Sequence, residues 1–372
     1  MDVVKEILTA YQQYMSDEGC EIIERSRVVN DVDLNAFNYS VEEPVLRKFG
    51  SFFNITSDYK FGVVQPCIRM RDAQHICDDP YHLSQFTILP IPFALYKKHS
   101  PVVELDRRRI LRQAIHFLTE KIGVALTNIE VSYFAGGNIR QLIDTCSDFY
   151  IEPDLITYNV CRECGISKKQ LIGNSTKENF LCQTVIPGEF YSGYRYEIYY
   201  KNGNIRYELG TGENLFWKQK KNSGEVEIIP INSSVIGLGL GLERCIMAAM
   251  GSARILDLPM LTEMEKICRR WFSGINDLSL LQFTDALRTM HLISADGGLW
   301  TDLNKRRREH VKRLMRRILF IADSHGIALS MINDVLSENA KAQYWLPELK
   351  NSISITMDNL RLFLKWRKDH GC

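Results

Sequence analysis

An arginine at the start of a helix, directly after a glycine-rich strand, is the first candidate for chemistry in this sequence. Residues 236–251 read IGLGLGLERCIMAAMG, and the pattern changes at Gly241 from an apolar strand to a helix. Glycines inside a strand indicate that another group comes close to the backbone. Arg244 is a permanent cation that suits phosphate oxygens. The alternative is an ordinary strand-to-helix junction with tightly packed glycines.

This junction matches neither of the common nucleotide-binding fingerprints. Leu242 stands where G-x-G-x-x-G requires its third glycine. No G-K-[ST] follows the glycines, so the segment is not a P-loop. A phosphate site of another type would need a second element elsewhere in the chain, and the sequence upstream contains one candidate.

That candidate lies between two predicted strands. Segments 63–70 and 85–89 have β character, and the polar loop between them contains His75 and several aspartates. The pattern predicts an antiparallel pair with a long loop, and such loops are commonly functional. Arg69 and Phe86 lie on the two strands. Their alternative interpretation is a strand-end cation and a core aromatic.

Together these two stretches resemble motifs 2 and 3 of the class II aminoacyl-tRNA synthetases, and most closely those of alanyl-tRNA synthetases. The family's motif 3 contains G-L-E-R, and its motif 2 contains C-[VI]-R, a loop with a His, and F-E-M-L, in which this chain has Thr87 for the glutamate. The resemblance implies that Arg69 binds the α-phosphate of ATP, Arg244 binds the γ-phosphate, and Phe86 stacks on adenine. His75 then either lies near the γ-phosphate or stabilises the loop.

Segments between the two motifs extend the resemblance. They match the family's N-F-W, T-E-I-F-Y-D and E-I-W-N in order, the last with a short insertion, so Glu208 and Glu213 compete for one acidic position. Either could hold Mg²⁺, which prefers carboxylate and phosphate oxygens. The resemblance also implies an amino-acid pocket built from Leu181, Glu197, Asn214, Phe216, Gly237 and Gly239.

Three departures make alanine a doubtful substrate. Gly237 replaces the family's aspartate, which binds the substrate ammonium. Leu181 replaces a pocket tryptophan, and Phe216 replaces a small valine. Because an ammonium ion buried without a carboxylate is costly, another acid must substitute or the substrate must differ.

A basic amphipathic helix is predicted near the carboxyl end. Residues 305–317 contain eight Lys or Arg and one Glu, a net charge of +7 in a chain whose total is +1. Such a cluster is either a solvated helix face or the footprint of a polyanion. The alanyl family has a similar segment in the helical domain that receives the tRNA acceptor stem. That match implies tRNA contacts from Asn304, Arg307, Arg313, Arg316 and Arg317.

Composition restricts the class of protein. With 372 residues, 45% hydrophobic and 24% charged, the chain is an ordinary soluble globular protein of two or three domains. We expect a cytoplasmic location, since no signal peptide or membrane-spanning run is evident and ten cysteines lack disulfide-framework spacing. The single C-x-x-C at Cys161 and Cys164 is a weak zinc signal, because structural sites normally need four ligands.

The sequence therefore predicts an α+β protein. A class II synthetase-like catalytic domain, an antiparallel sheet flanked by helices, occupies residues 1–251, and an all-helical domain that binds the tRNA acceptor occupies 252–372. The implied enzyme is a ligase that uses ATP and Mg²⁺ to activate an amino acid and transfers it to tRNA. The match to only the amino-terminal half of a family member suggests that editing and C-terminal domains are missing. The oligomeric state, monomer or homodimer, stays open.

Two rival functions are compatible with these features. The chain could be a paralogue that supplies an activated or tRNA-borne amino acid for amide-bond formation in a biosynthetic pathway. It could also be a non-catalytic RNA-binding paralogue. The presence of both Arg69 and Arg244 argues against the second rival, since pure RNA binding gives no reason to keep two phosphate-binding cations.

Overall fold

A computed structural model describes residues 2–370 except 31–34, 51–54, 72–75, 77–80, 143–145, 147–148, 187–188, 223–224 and 273, and only the backbone of 42, 181–186, 189, 221–222 and 225. The helices of the described residues are α1 (Val3–Asp17), α2 (Glu42–Phe49), α3 (Pro101–His116), α4 (Leu155–Glu163), α5 (Leu242–Met250), α6 (Pro259–Trp271), α7 (Asp277–Gly297), α8 (Lys305–Ser324), α9 (Leu329–Ala342) and α10 (Glu348–His370). The strands are β1 (Glu21–Ile22), β2 (Tyr59–Gly62), β3 (Gln65–Ile68), β4 (Gln85–Tyr96), β5 (Ile129–Phe134), β6 (Gly137–Asn138), β7 (Tyr150–Ile151), β8 (Leu171–Asn174), β9 (Phe180–Ile186), β10 (Glu189–Asn202), β11 (Ile205–Asn222) and β12 (Glu225–Gly241).

One large sheet dominates the architecture. Its order is β1-β2-β4-β12-β11-β10-β5-β8, with β3 paired to β4 and β9 paired to β10. The central pairs from β4 through β12, β11 and β10 to β5 are antiparallel, whereas the outer pairs β1–β2 and β5–β8 are parallel. The predicted α+β class, an antiparallel sheet with helices, is confirmed.

The chain divides into two compact units. The first consists of residues 1–25, 41–65 and 88–251, and the second of residues 26–40, 66–87 and 252–372. The first unit contains most of the sheet with α1 to α5. The second contains α6 to α10 together with β3 from Pro66 and the first residues of β4.

In the first unit, the predicted strand-to-helix junction is confirmed. Strand β12 ends at Gly241, and α5 begins at the next residue. Helix α1 buries one of its faces, which includes Tyr11. The Tyr11 hydroxyl donates to the carbonyl of Pro90 on β4 at 2.9 Å and accepts from the Val63 N–H at 3.0 Å.

Helix α7 is the centre of the second unit. Most of its residues are buried, Asp285 and Asp296 among them. The Asp285 carboxylate accepts from the Ser84 N–H at 2.8 Å, and the Asp296 carboxylate accepts from the Val28 N–H at 2.6 Å. Within this unit these acids therefore position backbone segments, because a buried carboxylate is tolerated where N–H groups satisfy it.

No helix in the described part of the chain combines the length and apolar character needed to cross a membrane. The described cysteines, Cys161 and Cys164 among them, are free thiols. Burial is the main reason that the pKa of both these thiols is raised, and nearby charged groups contribute less. Among the described residues, no cluster of three or more His, Cys, Asp or Glu side chains is arranged for a metal ion.

A buried histidine in α7 makes the second unit sensitive to acid. His291 is fully buried, its Nε2 lies 2.9 Å from the Leu349 carbonyl oxygen, and its Nδ1 lies 3.0 Å from the Asn339 amide nitrogen. Nε2–H therefore donates, Nδ1 accepts, and the ring is neutral. Burial lowers the pKa of His291 to about 4.

We expect the stability of this unit to fall as the pH is lowered from 6.5 towards 4. In that range the unfolded chain binds a proton at this histidine and the folded chain does not. The free energy of unfolding therefore falls by about 3 kcal/mol in total, at ~1.4 kcal/mol per pKa unit. Urea unfolding of the wild type and of His291→Gln at several pH values checks this. The variant should lose less stability than the wild type over the same range, and parallel losses would refute the assignment.

Candidate functional site

The central strands of the first unit present charged and hydroxyl side chains on one face of the sheet. Successive side chains of a strand alternate between faces, so Arg195, Glu197 and Tyr199 of β10 share a face. On β11, Glu213 lies opposite Arg195 and Glu208 lies opposite Tyr199. We call these five residues the polar face. Its position on long, paired strands gives it a rigid support.

Arg195 organises the carboxylates of the polar face. Its Nη2 lies 3.2 Å from Glu197 Oε1, and its Nε lies 3.9 Å from Glu213 Oε1. The Tyr199 hydroxyl donates to the other oxygen of Glu197. Burial, and to a smaller extent the charge of Glu208, raises the pKa of Glu197, whereas Tyr199 and Arg195 oppose that rise. The face thus carries three carboxylates, two of which lie beside Arg195.

Arg244 lies beside this surface, in the first turn of α5. Its Nη1 donates to the Glu208 carbonyl oxygen at 3.0 Å and lies 3.6 Å from Glu208 Oε2. About a quarter of the side chain, 23%, stays exposed. An arginine that is oriented by one neighbour and still reachable by solvent can accept the oxygens of a phosphate.

Gly237 and Gly239 of β12 are enclosed by side chains of β4. A Cβ added at Gly237 would lie 2.8 Å from the Phe93 ring, and one added at Gly239 would lie 2.9 Å from the Ile88 side chain. Gly237 pairs directly with Phe93. The ring of Phe93 therefore fills the space that a larger residue at position 237 would use, so a carboxylate cannot stand there without displacing it.

Two predicted pocket residues lie on the reverse face of the sheet. Asn214 follows Glu213 by one residue and pairs with Tyr194 and Ile236, so its buried side chain is directed away from the polar face. Phe216 contacts Tyr194 edge to face at 6.4 Å between ring centroids. It lines a separate cavity of about 430 Å³, walled by His99, Arg107, Asp154, Tyr194 and Trp217.

Of the predicted pocket residues, the polar side of the sheet thus contains Glu197, Gly237 and Gly239. The reverse face contains Asn214 and Phe216. The side chain of Leu181 lies outside the described residues, although its backbone pairs with Gly193. A one-residue step along a strand reverses the face, so Asn214 and Gly237 lie on opposite faces of the sheet.

In the second unit, the arginine and the aromatic of the motif 2 resemblance contact each other. Arg69 directly follows β3, and Phe86 is the second residue of β4. The Arg69 guanidinium carbon lies 4.7 Å from the centroid of the Phe86 ring, a cation–π contact. Its Nε donates to the Tyr39 carbonyl oxygen at 3.2 Å. His75 lies outside the described residues.

The predicted basic helix is α8, and its basic residues differ in role. Asn304 is the N-cap and accepts from the Arg307 N–H at 3.0 Å. The Arg307 side chain is buried and donates to the carbonyl oxygens of Ala36, at 2.6 Å, and Asn30. In the second unit the Asn304 side chain and the Arg307 guanidinium thus hydrogen-bond to backbone groups.

The exposed basic residues of α8 form a separate group. Arg313 and Arg316 are exposed, as are Lys305 and Arg306, whereas Arg317 is half-buried. The side chains Val311, Leu314, Met315 and Ile318 are buried, which confirms the predicted apolar stripe. A cationic surface on a packed helix of this kind suits a phosphate backbone.

Sequence reasoning missed Arg195, Tyr199 and Phe93. The first two were signalled by the alternation in 194–200, YRYEIYY, where polar residues occupy every second position. Phe93 had no such signal, because its contact with Gly237 depends on the pairing of strands distant in sequence.

Mg²⁺, which the motif resemblance implies, has oxygen donors available on this surface. Glu208 presents a carboxylate that is 35% exposed, with Thr211 Oγ1 donating to it at 2.7 Å. Carboxylates that leave room for phosphate oxygens and waters are the usual protein ligands of this ion. The donor type therefore fits Mg²⁺, which would complete its coordination with the substrate's phosphates.

Sequence comparison finds relatives among alanine–tRNA ligases. The enzyme of Elusimicrobium minutum (strain Pei191) is 23% identical over 370 residues, an alignment that covers 94% of this chain and 39% of that protein. The enzyme of Rubrobacter xylanophilus is 25% identical over 281 residues, which cover 68% of this chain and 29% of that protein. The chain thus spans less than two fifths of the length of these curated relatives. No family model matches it.

Solved structures with some likeness are also aminoacyl-tRNA synthetases. Pyrrolysyl-tRNA synthetase from Desulfitobacterium hafniense is 12% identical with a TM-score of 0.32, and the alignment covers 68% of this chain and 72% of that one. Asparaginyl-tRNA synthetase from Entamoeba histolytica is 14% identical with a TM-score of 0.30, covering 68% and 64%. Over most of its length the chain is similar in sequence to alanine–tRNA ligases, and the resemblance predicted from its motifs is thereby confirmed.

Proposed function

We propose that the protein activates an amino acid with ATP, forming an aminoacyl adenylate, and transfers the aminoacyl group to tRNA. The observation that carries this proposal is Arg244, a reachable cation fixed to Glu208 beside an acidic surface, in a chain similar to alanine–tRNA ligases. A carboxylate and a polyphosphate repel each other, and preorganised cations reduce that repulsion.

In the proposed reaction, a carboxylate oxygen of the amino acid attacks the α-phosphorus of ATP. A new carboxyl–phosphate bond forms as the bond to the β-phosphate oxygen breaks, and pyrophosphate leaves. The motif resemblance assigns the α-phosphate to Arg69 and the adenine to Phe86, and Arg244 is proposed to hold the γ-phosphate. Glu208 would hold Mg²⁺, which would neutralise phosphate charge.

The amino acid is proposed to differ from alanine. In this chain the ring of Phe93 fills the space beside Gly237, where the alanyl family has an aspartate. This observation favours the activation of another amino acid, either for translation or for amide-bond formation in a biosynthetic pathway.

Trapping the intermediate tests the activation step. With ATP labelled on the α-phosphate, a suitable amino acid should give labelled aminoacyl adenylate, and hydroxylamine should convert it to the hydroxamate and labelled AMP. AMP formation that requires the amino acid supports the proposal. An absence of adenylate with every amino acid tried, in folded protein, would contradict it.

The tRNA step predicts a role for the exposed basic residues of α8. The double variant Arg313→Ala/Arg316→Ala should weaken binding of a tRNA acceptor-stem duplex about tenfold or more. The slope of log affinity against log salt concentration should become shallower by about two, which corresponds to two fewer counterions released. Titration by fluorescence anisotropy at several salt concentrations measures both quantities.

Arg270→Ala is the matched control, since Arg270 is an exposed arginine of the second unit on a different helix, α6. It should leave the affinity and the salt dependence near the wild-type values. Equal effects of the control and of the double variant would mean that α8 has no special part in binding RNA.

A further inference from the structure

A row of four directly paired residues crosses the centre of the sheet at Gly237. Arg195 pairs with Glu213, Glu213 pairs with Gly237, and Gly237 pairs with Phe93. Directly paired residues point to the same face of a sheet. The position where the alanyl family has its ammonium-binding aspartate therefore has a glutamate as its neighbour on one side and a phenyl ring on the other.

The phenyl ring closes one side of this position. Phe93 is 7% exposed and packs against Phe61, with 5.4 Å between ring centroids and 40° between the ring planes. A ring held by such packing cannot move aside cheaply. Space for a substrate group beside Gly237 is therefore left on the side of β11, where Glu213 stands.

Glu213 is within reach of that space. Directly paired residues have Cβ atoms about 5 Å apart, and a glutamate side chain extends further than the aspartate that the family has on β12. A substrate ammonium above the glycine, where no Cβ obstructs it, is therefore within reach of the Glu213 carboxylate, whose Oε1 lies 3.9 Å from Arg195 Nε on the other side.

The two other acids of the polar face have different surroundings. Glu197 is only 11% exposed, with Arg195 at 3.2 Å and the Tyr199 hydroxyl bonded to it. Glu208 accepts from Thr211 and lies 3.6 Å from Arg244. Glu213 is 31% exposed, and Arg195 lies 3.9 Å away. Of the three, Glu213 combines access with a position next to Gly237.

We propose that the Glu213 carboxylate binds the ammonium group of the amino-acid substrate, in place of the aspartate missing at position 237. This inference rests on the proposed function and refines it. It assigns different tasks to the two acids that compete in the sequence, with Glu213 for the amino group and Glu208 for the Mg²⁺ and phosphate side. Arg195 Nε lies 3.9 Å from the Glu213 carboxylate on the side away from Gly237.

The first test compares Glu213→Gln with Glu208→Gln in pyrophosphate exchange, using the amino acid that the wild type activates. Glu213→Gln should raise the KM for the amino acid about 100-fold, as expected for loss of one partner of a charge pair, with the KM for ATP little changed. Glu208→Gln should act mainly on ATP and Mg²⁺. The reverse pattern would overturn the assignment.

A second test uses an analogue that lacks the amino group. The wild type should bind the amino acid about 100-fold more tightly than the corresponding des-amino acid, and Glu213→Gln should discriminate by less than about tenfold. This ratio does not change when a variant merely weakens the whole site. Unaltered discrimination in Glu213→Gln would overturn the proposal even if its KM had risen.

Relocating the carboxylate provides the positive test. Phe93→Ala opens the space beside position 237, so an aspartate can be placed there. The triple variant Phe93→Ala/Gly237→Asp/Glu213→Gln should therefore prefer the amino acid over the des-amino acid at least tenfold more strongly than Glu213→Gln does. If the wild type exchanges with no amino acid, the proposed function falls, and this inference falls with it. Exchange by the wild type with unchanged discrimination in Glu213→Gln would refute this inference alone.

Discussion

Arg244→Ala is expected to lower amino-acid-dependent pyrophosphate exchange by about 10³-fold, because this arginine is proposed to hold the γ-phosphate of the pyrophosphate leaving group and an arginine that stabilises phosphate charge in the transition state contributes about that much. In the structure this arginine is oriented by the Glu208 carbonyl, at 3.0 Å, and remains reachable. Alanine removes the positive charge and all five donors. The exchange assay at saturating ATP measures the loss directly.

Arg244→Lys is the matched control for charge alone. Lysine keeps the positive charge but cannot present two parallel donors to phosphate, so its activity should lie between those of the wild type and of alanine. Thermal unfolding should show that both variants keep the fold, since Arg244 is partly exposed. Wild-type exchange by folded Arg244→Ala would mean that this arginine does not contact ATP.

Gly212→Ala is expected to destabilise the first unit by about 3 kcal/mol or more, the upper end of the range for overpacked cores. Gly212 pairs with Tyr196, and a Cβ at this position would lie 2.0 Å from the Tyr196 ring, which is fully buried. Because the ring cannot retreat into solvent, strands β10 and β11 must separate. Chemical unfolding measures the change in stability.

Gly241→Ala is the matched control on the neighbouring strand. The nearest atom to a Cβ there lies 3.8 Å away, an ordinary contact, so the loss should be about 1 kcal/mol or less. In a Tyr196→Ala background the cost of Gly212→Ala should also fall below about 1 kcal/mol, because the ring is gone. An unchanged cost would refute this pairing, and with it the assignment of Arg195, Glu197 and Glu213 to one face.

Local patterns in the sequence were enough to predict the strands and helices that carry the candidate site. The glycine-rich run before Arg244 predicted both β12 and the start of α5, since glycine spacing and helical periodicity are properties of neighbouring residues. The basic helix was predictable for the same reason, because its apolar stripe and its charges recur at helical spacing.

Assignments that depend on distant contacts were less accessible. Arg307 matched an arginine of the alanyl segment, yet its side chain is enclosed and bonded to the carbonyls of Ala36 and Asn30, far away in sequence. Nothing in the spacing of α8 shows which arginine is covered. Similarly, the contact of Phe93 with Gly237 joins β4 to β12, and only the strand pairing reveals it.

Pyrophosphate exchange with a panel of amino acids tests the central claim most directly. The panel should include β-amino and other non-protein acids, each assayed with and without bulk tRNA. The account predicts ATP–pyrophosphate exchange that requires one amino acid, other than alanine, and disappears in Arg244→Ala. Exchange with none of them, from folded protein that still binds RNA, would contradict the account and favour a non-catalytic RNA-binding protein.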